Sequence, residues 1–432
     1  MLPRERSRVL HRIADLVESR DPRLAELMGT RAGAQGRSRA ADDGGNGQAA
    51  GRGPGEVDYG GEFLRWFSEE AVRIHGRYGL NPEGTGRMVV SQRPVGPSFF
   101  ITPWNFPFAM ATRKIAPALA AGCTVVTKPP QLTPLTTLFF TQLLVDAGLP
   151  AGVVNVVTSA SSSRVSAPII ADPRLRKLSF TGATEVGHRL IAQAADNVLR
   201  VSVELGGNAP FLVFTDADLD EAAEGALTAK FRNIGQACTA ANRFIVHEAV
   251  AAEFAQRITA RVETMKVGRG TEEGVAIGPL IDDDAVDKAA ELVADATARG
   301  AVVLTGGAKI DGPGSFYEPT VVTGVTGVSD ILREEIFGPV LAIATFSTEE
   351  EAVELANNTE YGLVSYVYTQ DLARGHRMID RLETGMMGLN TGVVSNAAAP
   401  FGGVKQSGVG REGGFEGIHE FLSTKYTLIP NS

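Results

Sequence analysis

The stretch Phe231-Arg-Asn-Ile-Gly-Gln-Ala-Cys-Thr-Ala-Ala-Asn-Arg243 contains Cys238, one of only two cysteines in the chain. Gly235 and Gln236 come just before this cysteine, and a strand is predicted to begin near Phe244. A thiol in a turn of small residues is open to a substrate, and a thiolate can attack a carbonyl carbon to form a covalent intermediate. A buried structural cysteine is the alternative, and this stretch alone favours that alternative.

Three other stretches favour a reactive cysteine over a structural one. They are Ile101-Thr-Pro-Trp-Asn-Phe-Pro107, Val203-Glu-Leu-Gly-Gly-Asn-Ala-Pro210 and Glu334-Glu-Ile-Phe-Gly-Pro-Val340. Together with the cysteine stretch they resemble the NAD(P)-dependent aldehyde dehydrogenase superfamily. The tail, 392–413, is most similar to the succinate-semialdehyde dehydrogenase branch of that superfamily, and the resemblance covers residues 55–430.

Length and composition limit the classes of protein that fit. The 432 residues favour two or three domains over a single core. The net charge of −9 argues against a nucleic-acid partner and against an anionic membrane. No apolar run approaches the roughly 18 residues of a membrane span, and the first residues lack the apolar core of a signal peptide. Two cysteines make no disulfide framework, so we expect a cytoplasmic protein.

The order of predicted strands and helices indicates the fold class. From Met88 onward, short apolar runs alternate with helical stretches, which is typical of parallel sheets covered on both faces. The resemblance implies an aldehyde-dehydrogenase-like α/β fold with two doubly wound domains and a small β arm that pairs subunits into a homodimer or homotetramer. We expect a dinucleotide-binding domain in residues 1–205, a catalytic domain in 206–406 and a C-terminal segment in 407–432. The arm would combine residues 80–98 with an apolar strand that ends this segment, because such an edge needs a partner.

One segment departs from the family pattern. Residues 31–56 contain no Val, Ile, Leu, Phe, Tyr or Trp. Such a segment has no large apolar side chains whose burial would offset its ordering entropy, so we predict that it is disordered. Members of the family normally have an ordered helix here. An inactive, binding-only relative is therefore an alternative to an active enzyme, although the intact set of catalytic residue types argues against it.

The cofactor site centres on Phe180-Thr-Gly-Ala-Thr-Glu-Val-Gly187, which follows a predicted strand and opens a predicted helix. Gly182 and Gly187 would let the backbone approach a pyrophosphate that rests on the helix N-terminus. This spacing alone would also fit an ordinary strand-to-helix turn. The resemblance extends the cofactor site to a larger set of residues: Ile101, Thr102, Pro103, Trp104, Lys128, Gln131, Thr181, Ala183, Leu205, Glu335 and Phe337.

Two positions, 128 and 131, bear on the choice between NADP and NAD. By resemblance, Lys128 reaches the adenosine ribose, and position 131 is often a glutamate in members that use NAD. A carboxylate there would repel a 2′-phosphate and Gln131 would not, so we expect NADP as the preferred cofactor and NAD as the second. Ala183 stands where the family usually has a phosphate-binding serine, so one hydroxyl contact is missing.

The predicted chemistry starts with attack of Cys238 on the aldehyde carbon, because a free aldehyde is a poor hydride donor. The side-chain amide of Asn105 and the backbone N–H of Cys238 would stabilise the oxyanion. Hydride transfer would leave a thioester, for whose hydrolysis Glu204 would be the general base. Lys114 is a candidate for a proton relay. Plainer alternatives are a helix cap for Asn105, a loop carboxylate for Glu204 and a surface position for Lys114.

Enzyme classes other than aldehyde oxidation fit the sequence less well. A cysteine hydrolase or acyltransferase would need a histidine beside Cys238, and none of the six histidines lies in the four stretches. A CoA-acylating semialdehyde dehydrogenase would lack the glutamate at position 204. The sequence also contains no metal-ligand cluster with suitable spacing, so we expect no metal site.

The substrate prediction depends on three polar residues. In the succinate-semialdehyde branch two arginines and a serine hold the far carboxylate of the substrate, and these match Arg113, Arg232 and Ser395 here. Guanidinium groups bind carboxylates in a two-pronged geometry. We therefore expect oxidation of succinate semialdehyde to succinate. The alternatives are a glutarate-semialdehyde dehydrogenase or a broader aldehyde dehydrogenase. The plainer interpretation of the two arginines is that both are surface or interdomain salt-bridge partners.

Overall fold

The computed structural model describes residues 1–19, 23, 52–270 and 272–431. In chain order its strands are β1 (Arg77–Leu80), β2 (Gly86–Pro94), β3 (Ser98–Ile101), β4 (Val125–Lys128), β5 (Val154–Val156), β6 (Lys177–Thr181), β7 (Arg200–Glu204), β8 (Ala209–Val213), β9 (Ala241–His247), β10 (Val302–Thr305), β11 (Thr320–Thr323), β12 (Val340–Phe346), β13 (Tyr361–Gly362), β14 (Val364–Tyr368), β15 (Met386–Leu389), β16 (Val404–Lys405), β17 (Gly408–Val409) and β18 (Leu422–Pro430).

The helices alternate with these strands. In chain order they are α1 (Pro3–Ser19), α2 (Arg52–Glu70), α3 (Ala109–Ala121), α4 (Pro134–Asp146), α5 (Ser162–Ala171), α6 (Thr184–Ala195), α7 (Leu219–Phe231), α8 (Glu248–Val262), α9 (Asp283–Ala298), α10 (Glu349–Asn357), α11 (Leu372–Arg381) and α12 (Glu416–His419). Two 3₁₀ turns span Arg232–Gly235 and Asp330–Leu332. No helix in the described part of the chain is both long and apolar enough to cross a membrane.

Two sheets form the body of the protein. The first has the order β17–β7–β6–β3–β4–β5 and is parallel except for the edge strand β17. The second has the order β10–β11–β12–β9–β8–β14–β15, with β10 antiparallel at its edge. Strands β6 and β8 are buried along their whole length, as parallel strands covered on both faces are. The predicted α/β fold with two doubly wound units is confirmed.

A third, antiparallel sheet forms the arm, in the order β1–β2–β18. Strand β18 pairs with β2 along its whole length and is exposed after Leu422. The structure corrects the predicted limits of the arm, because it adds β1 and gives Ser98 to the first sheet. Exposed Tyr426 and Leu428 make β18 an apolar edge that needs a partner. Pairing with a second copy, like the domain boundaries, stays a prediction.

The N-terminal helices are part of the body of the protein. Leu10 of α1 and Phe63 of α2 are fully buried in the same apolar core as Ile115 of α3. Since α3 also carries Arg113 and Lys114, the packing of α1 and α2 helps to position candidate site residues.

Helix α2 corrects the predicted end of the disordered segment, because residues 52–56 belong to this helix; residues 31–51 of the prediction lie outside the described part. Glu56 is buried, and its Oε1 accepts hydrogen bonds from the backbone N–H groups of Phe108 (2.8 Å) and Ala109 (3.2 Å). These N–H groups open α3 and have no partner inside the helix. A Cβ at Gly60 would lie 2.4 Å from the Phe108 ring, so glycine is what lets α2 approach α3.

The functional stretches meet where the two large sheets adjoin. Asn105 follows the carboxyl end of β3, and Glu204 is the last residue of β7. Cys238 lies in the turn between α7 and β9 of the second sheet. Ligands of α/β sheets bind outside the carboxyl ends of the strands, so the fold places these three side chains where a substrate is expected.

Candidate active site

A cavity of about 300 Å³ lies between the two large sheets. Many of the predicted site residues line this cavity: Pro103, Trp104, Asn105, Arg113, Thr181, Gly182, Ala183, Leu205, Arg232, Cys238, Glu335, Phe337 and Ser395. The lining residues that the sequence analysis did not single out include Tyr59, Phe106, Met110, Lys288 and Phe401. Stretches that are far apart in the chain thus form one site with the thiol of Cys238 in its wall.

The backbone before Cys238 follows an unusual path. Asn233, Ile234 and Gly235 all have positive φ angles, of 52°, 60° and 75°. A left-handed conformation is unfavourable for an asparagine and more so for a β-branched isoleucine, and such strain concentrates at functional sites. At Gly235 a Cβ would lie 2.2 Å from the carbonyl oxygen of Gly338, so no larger residue fits there. The tight turn brings the thiol to the cavity.

Asn105 is held close to the cysteine turn. Its side-chain Nδ2 donates a hydrogen bond to the carbonyl oxygen of Gln236 (3.0 Å), two residues before the thiol. The Nδ2 of Asn233 donates to the carbonyl oxygens of both Asn105 and Gln236, each at 3.1 Å. The alternative that Asn105 caps α3 is wrong, because Glu56 occupies that position. Asn105 is instead fixed with its amide beside Cys238.

The electrostatic surroundings keep the resting thiol neutral. Burial raises the pKa of Cys238 to about 12; Arg113 opposes this shift, while Glu335, Glu204 and Glu412 add to it. The thiol is therefore protonated at neutral pH and needs a base before it can attack a carbonyl. Cys123, the second cysteine, is buried outside the cavity and donates a weak hydrogen bond to the Phe421 carbonyl (3.5 Å).

Glu204 is a buried carboxylate, not the loop residue of the plainer alternative. Its Oε2 has no hydrogen-bond partner among the described residues. Burial raises the pKa of Glu204 well above its ordinary value, and the charge of Glu412 raises it further, against the lowering effect of Arg113 and Lys114. The structure therefore gives the predicted base a raised affinity for protons, although Glu204 does not itself line the cavity.

Glu412 joins two of the predicted residues. Its carboxylate forms a salt bridge with Arg113 (2.9 Å) and a second one with Lys114, which also donates to Ser179 Oγ (2.9 Å). Burial disfavours the charge of Glu412, but Lys114 and Arg113 outweigh it, so its pKa is lowered. The surface position for Lys114 is wrong, because Lys114 is buried behind the cavity. Sequence reasoning missed Glu412, although it stands inside the tail motif.

The two predicted carboxylate-binding arginines differ in their surroundings. Arg113 is paired with Glu412, and its guanidinium carbon lies 3.8 Å from the centre of the Phe401 ring, so the salt-bridge alternative holds for this residue. The Arg232 side chain forms no hydrogen bond or ion pair with any described residue, and Ser395 lines the same cavity. Of the two arginines, Arg232 is thus the one without a counter-ion among the described residues.

The opposite side of the cavity carries the groups expected around a dinucleotide. Glu335 Oε1 accepts a hydrogen bond from the Gly207 N–H (3.0 Å), so Glu335 is not merely a solvated acid. Burial raises the pKa of Glu335 to about 7, against the lowering effect of this hydrogen bond and of Lys288. Trp104 and Phe337 meet edge to face, with ring centres 5.7 Å apart.

The residues present fit a nicotinamide dinucleotide. The hydroxyls of Thr102 and Thr181 are buried and have no hydrogen-bond partner among the described residues. The N-terminus of α6 follows Ala183 directly, and no side chain caps it. Unpaired hydroxyls and an uncapped helix N-terminus are suited to ribose and phosphate oxygens. No group of three or more His, Cys, Asp or Glu in the described part of the chain could hold a metal ion.

Some predicted cofactor residues lie outside the cavity. Ile101, Thr102, Lys128, Gln131 and Gly187 do not line it. Lys128 is buried, and its Nζ donates to the carbonyl of Pro129 (3.2 Å). Gly187 lets Leu205 pack against α6, since a Cβ there would lie 2.4 Å from the leucine side chain. Gln131 is exposed. Their contacts with the cofactor remain predictions.

The fold is that of a dinucleotide-type α/β protein with a cysteine thiol in the wall of its cavity, and comparison with known proteins identifies the family. The aldehyde dehydrogenase family matches residues 1–427, and the chain belongs to this family. It is 54% identical to a succinate-semialdehyde dehydrogenase of Paenarthrobacter nicotinovorans, over 99% of this chain and 92% of that protein. It is 45% identical to a glutarate-semialdehyde dehydrogenase of Pseudomonas putida, over 99% and 85%. The crystal structure of an E. coli NADP-dependent enzyme superposes with a TM-score of 0.94 at 43% identity, covering 100% of this chain and 86% of that one.

The raised pKa of Glu204 predicts an active-site substitution that stabilises the protein. In the folded state Glu204 keeps its proton up to a higher pH than it does in the unfolded chain. Its contribution therefore lowers the free energy of unfolding as the pH rises. Glu204→Gln should therefore unfold at higher denaturant concentration than the parent at pH 8. The difference should shrink towards pH 5, by up to about 1.4 kcal/mol per pH unit.

Denaturant titrations of both proteins between pH 5 and 8 test this prediction. Glu224→Gln, at an exposed position on α7, is the control and should show no such trend. A Glu204→Gln protein less stable than the parent at pH 8 would mean that the carboxylate is ionised and well solvated.

Proposed function

We propose that this aldehyde dehydrogenase oxidises a short semialdehyde with a carboxylate at its far end, and that succinate semialdehyde is the best candidate. The observation that carries the proposal is the unpaired Arg232 guanidinium in the same cavity as the Cys238 thiol. A cation without a counter-ion in a largely apolar cavity favours a ligand with an anionic group, because burying an unpaired cation costs free energy. The name of the relative from Paenarthrobacter nicotinovorans supports the same substrate.

The reaction begins when Cys238 gives its thiol proton to a solvent water molecule, which acts as the base, and the sulfur attacks the aldehyde carbon. The negative charge that develops on the aldehyde oxygen needs donors already in place. Asn105 is held by the cysteine turn for this role, together with the backbone N–H of Cys238. Removal of one such donor typically lowers turnover by about 10²–10³. After oxidation the acyl group remains on Cys238 as a thioester.

Glu204 activates the water that cleaves this thioester. Its raised pKa gives Glu204 a higher affinity for a proton than an ordinary glutamate has, while the charges of Arg113 and Lys114 favour its ionised form. The paired Glu412 keeps its own negative charge and so favours the protonated form of Glu204 once water has been deprotonated. The buried charges thus favour both states that a general base passes through. The cations favour the ionised form of Glu204, and Glu412 favours its protonated form.

A bound nicotinamide dinucleotide supplies the hydride acceptor. Glu335 would hold its nicotinamide ribose, the N-terminus of α6 its pyrophosphate, and Lys128 its adenosine ribose. Trp104 and Phe337 line the same cavity as Glu335 and meet edge to face there.

A glutarate semialdehyde is the second candidate substrate, since it differs by one methylene and a relative of 45% identity carries that name. A single methylene is worth only about 1–3 kcal/mol of discrimination in an apolar pocket. Both substrates would place their carboxylate at Arg232 and their aldehyde at Cys238.

Cofactor preference provides one test. We infer that NADP is preferred, because Gln131 lacks the charge that would repel a 2′-phosphate, and the similar E. coli enzyme is described as NADP dependent. Gln131→Glu should lower the ratio of kcat/KM for NADP to that for NAD by about tenfold, the equivalent of about 1.4 kcal/mol. Initial rates with each cofactor measure this ratio. Gln142→Glu on α4 is the control, and a parent protein that prefers NAD would contradict the inference.

Substrate selectivity provides the test of the main proposal. Arg232→Met should lower kcat/KM for succinate semialdehyde about 10- to 100-fold, which corresponds to the roughly 1.5–3 kcal/mol of a charged hydrogen bond. The loss on butanal should be much smaller, because butanal has no carboxylate. Arg232→Lys should recover part of the activity, since it keeps the charge and loses the two-pronged geometry.

Arg8→Met, at an exposed position on α1, is the matched control and should behave as the parent on both substrates. Equal losses on succinate semialdehyde and butanal in Arg232→Met would contradict a carboxylate pocket and leave a general aldehyde dehydrogenase.

A further inference from the structure

Two aromatic rings contact the Arg232 guanidinium from different parts of the chain. The guanidinium carbon lies 5.7 Å from the centre of the Tyr59 ring and 5.7 Å from the centre of the Phe106 ring. Tyr59 belongs to α2 near the N-terminus, and Phe106 directly follows Asn105. All three side chains line the cavity that contains Cys238.

Both contacts lie within the distance at which a cation and an aromatic ring attract each other. An arginine without such contacts would lose its rotamer freedom only when it bound a ligand, and that loss would weaken binding. Aromatic rings hold the cation without taking up its N–H groups in conventional hydrogen bonds. The N–H groups of Arg232 therefore stay available to a carboxylate while the side chain is already in place.

The position of the Tyr59 ring depends on how α2 is fixed. Glu56 binds the first N–H groups of α3, and Gly60 gives α2 its close approach to Phe108. Tyr59 lies between these two attachment points and also meets Phe63 edge to face, at 5.1 Å between ring centres. The ring is thus anchored from its own helix and from α3.

We propose that the rings of Tyr59 and Phe106 form a clamp that holds Arg232 in the orientation that receives the substrate carboxylate, so that helix α2 helps to determine substrate specificity. The inference depends on the proposed function, in which Arg232 binds that carboxylate. Tyr59 is a positioning residue, because it acts on the substrate through Arg232. The buried Tyr59 hydroxyl makes no hydrogen bond to Arg232 or to any other described residue, so the contact with the arginine is made by the ring.

The test compares the removal of the ring with the removal of the hydroxyl. Tyr59→Leu should raise KM for succinate semialdehyde about tenfold and change kcat less than twofold, because the arginine must then be ordered on binding. Tyr59→Phe keeps the ring and should restore the KM of the parent. The KM for butanal gives the reference, and the effect on succinate semialdehyde should exceed the effect on butanal several-fold.

A double-mutant cycle isolates the contact. In an Arg232→Met background, Tyr59→Leu should add little further loss on succinate semialdehyde, because the two residues act as one unit. Tyr78→Leu is the matched control. Tyr78 contacts Arg87 of the arm at the same 5.7 Å but lies outside the cavity, and its loss should leave both substrates unaffected. Phe106→Leu removes the second ring and tests the clamp independently where Tyr59→Leu does not fold.

The outcomes separate this inference from the proposed function. A parent with no preference for succinate semialdehyde over butanal, or an Arg232→Met protein with equal losses on both, overturns the proposed function and the clamp together. A selective loss in Arg232→Met without one in Tyr59→Leu and Phe106→Leu overturns only the clamp. The clamp is also overturned if Tyr59→Phe loses as much as Tyr59→Leu, or if Tyr59→Leu weakens both substrates equally.

Discussion

The burial of ionisable groups in and behind the cavity wall is the constraint on which the rest of the site depends. Burial raises the pKa values of Cys238, Glu204 and Glu335 together, so each of the three acids holds its proton more tightly than it would in water. Fixed groups of the protein oppose this effect. Arg113 opposes it at Cys238 and, together with Lys114, at Glu204, whereas the Gly207 N–H and Lys288 oppose it at Glu335. Glu412 forms salt bridges with Arg113 and Lys114, and its own charge acts on Glu204. The buried salt bridges thus serve less to stabilise the fold than to set protonation in the site.

The fold makes this arrangement possible because parallel strands deliver side chains at their carboxyl ends. Glu204 ends β7, Asn105 follows β3, and the strained turn before β9 brings the thiol to meet them. Most of this could be predicted from the sequence. Glycines, prolines and the nucleophile lie in short stretches whose local geometry their own residues determine, so the α/β fold, the cysteine and its partners followed from the motifs.

What could not be predicted depends on contacts between residues far apart in the chain. The pairing of Arg113 with Glu412 joins α3 to the C-terminal segment, and no local pattern distinguishes a paired arginine from a free one. The approach of Tyr59 to Arg232 needs α2 to pack on α3. The composition of residues 31–56 predicted disorder, although residues 52–56 belong to α2. The same kind of small residue that lacks apolar area also permits close helix contact, as Gly60 does further along α2. Sequence composition does not distinguish these two uses of glycine until the neighbouring helix is known.

The central claim is that Cys238 carries the acyl group and Glu204 is needed to release it. The most direct measurement is the intact mass of Glu204→Gln after incubation with NADP and succinate semialdehyde, followed by peptide mapping. The account predicts one succinyl group per chain, attached to Cys238 and absent when NADP is left out. Acylation at Cys123, or a Glu204→Gln protein that turns over at the parent's rate without accumulating the acyl form, would contradict it.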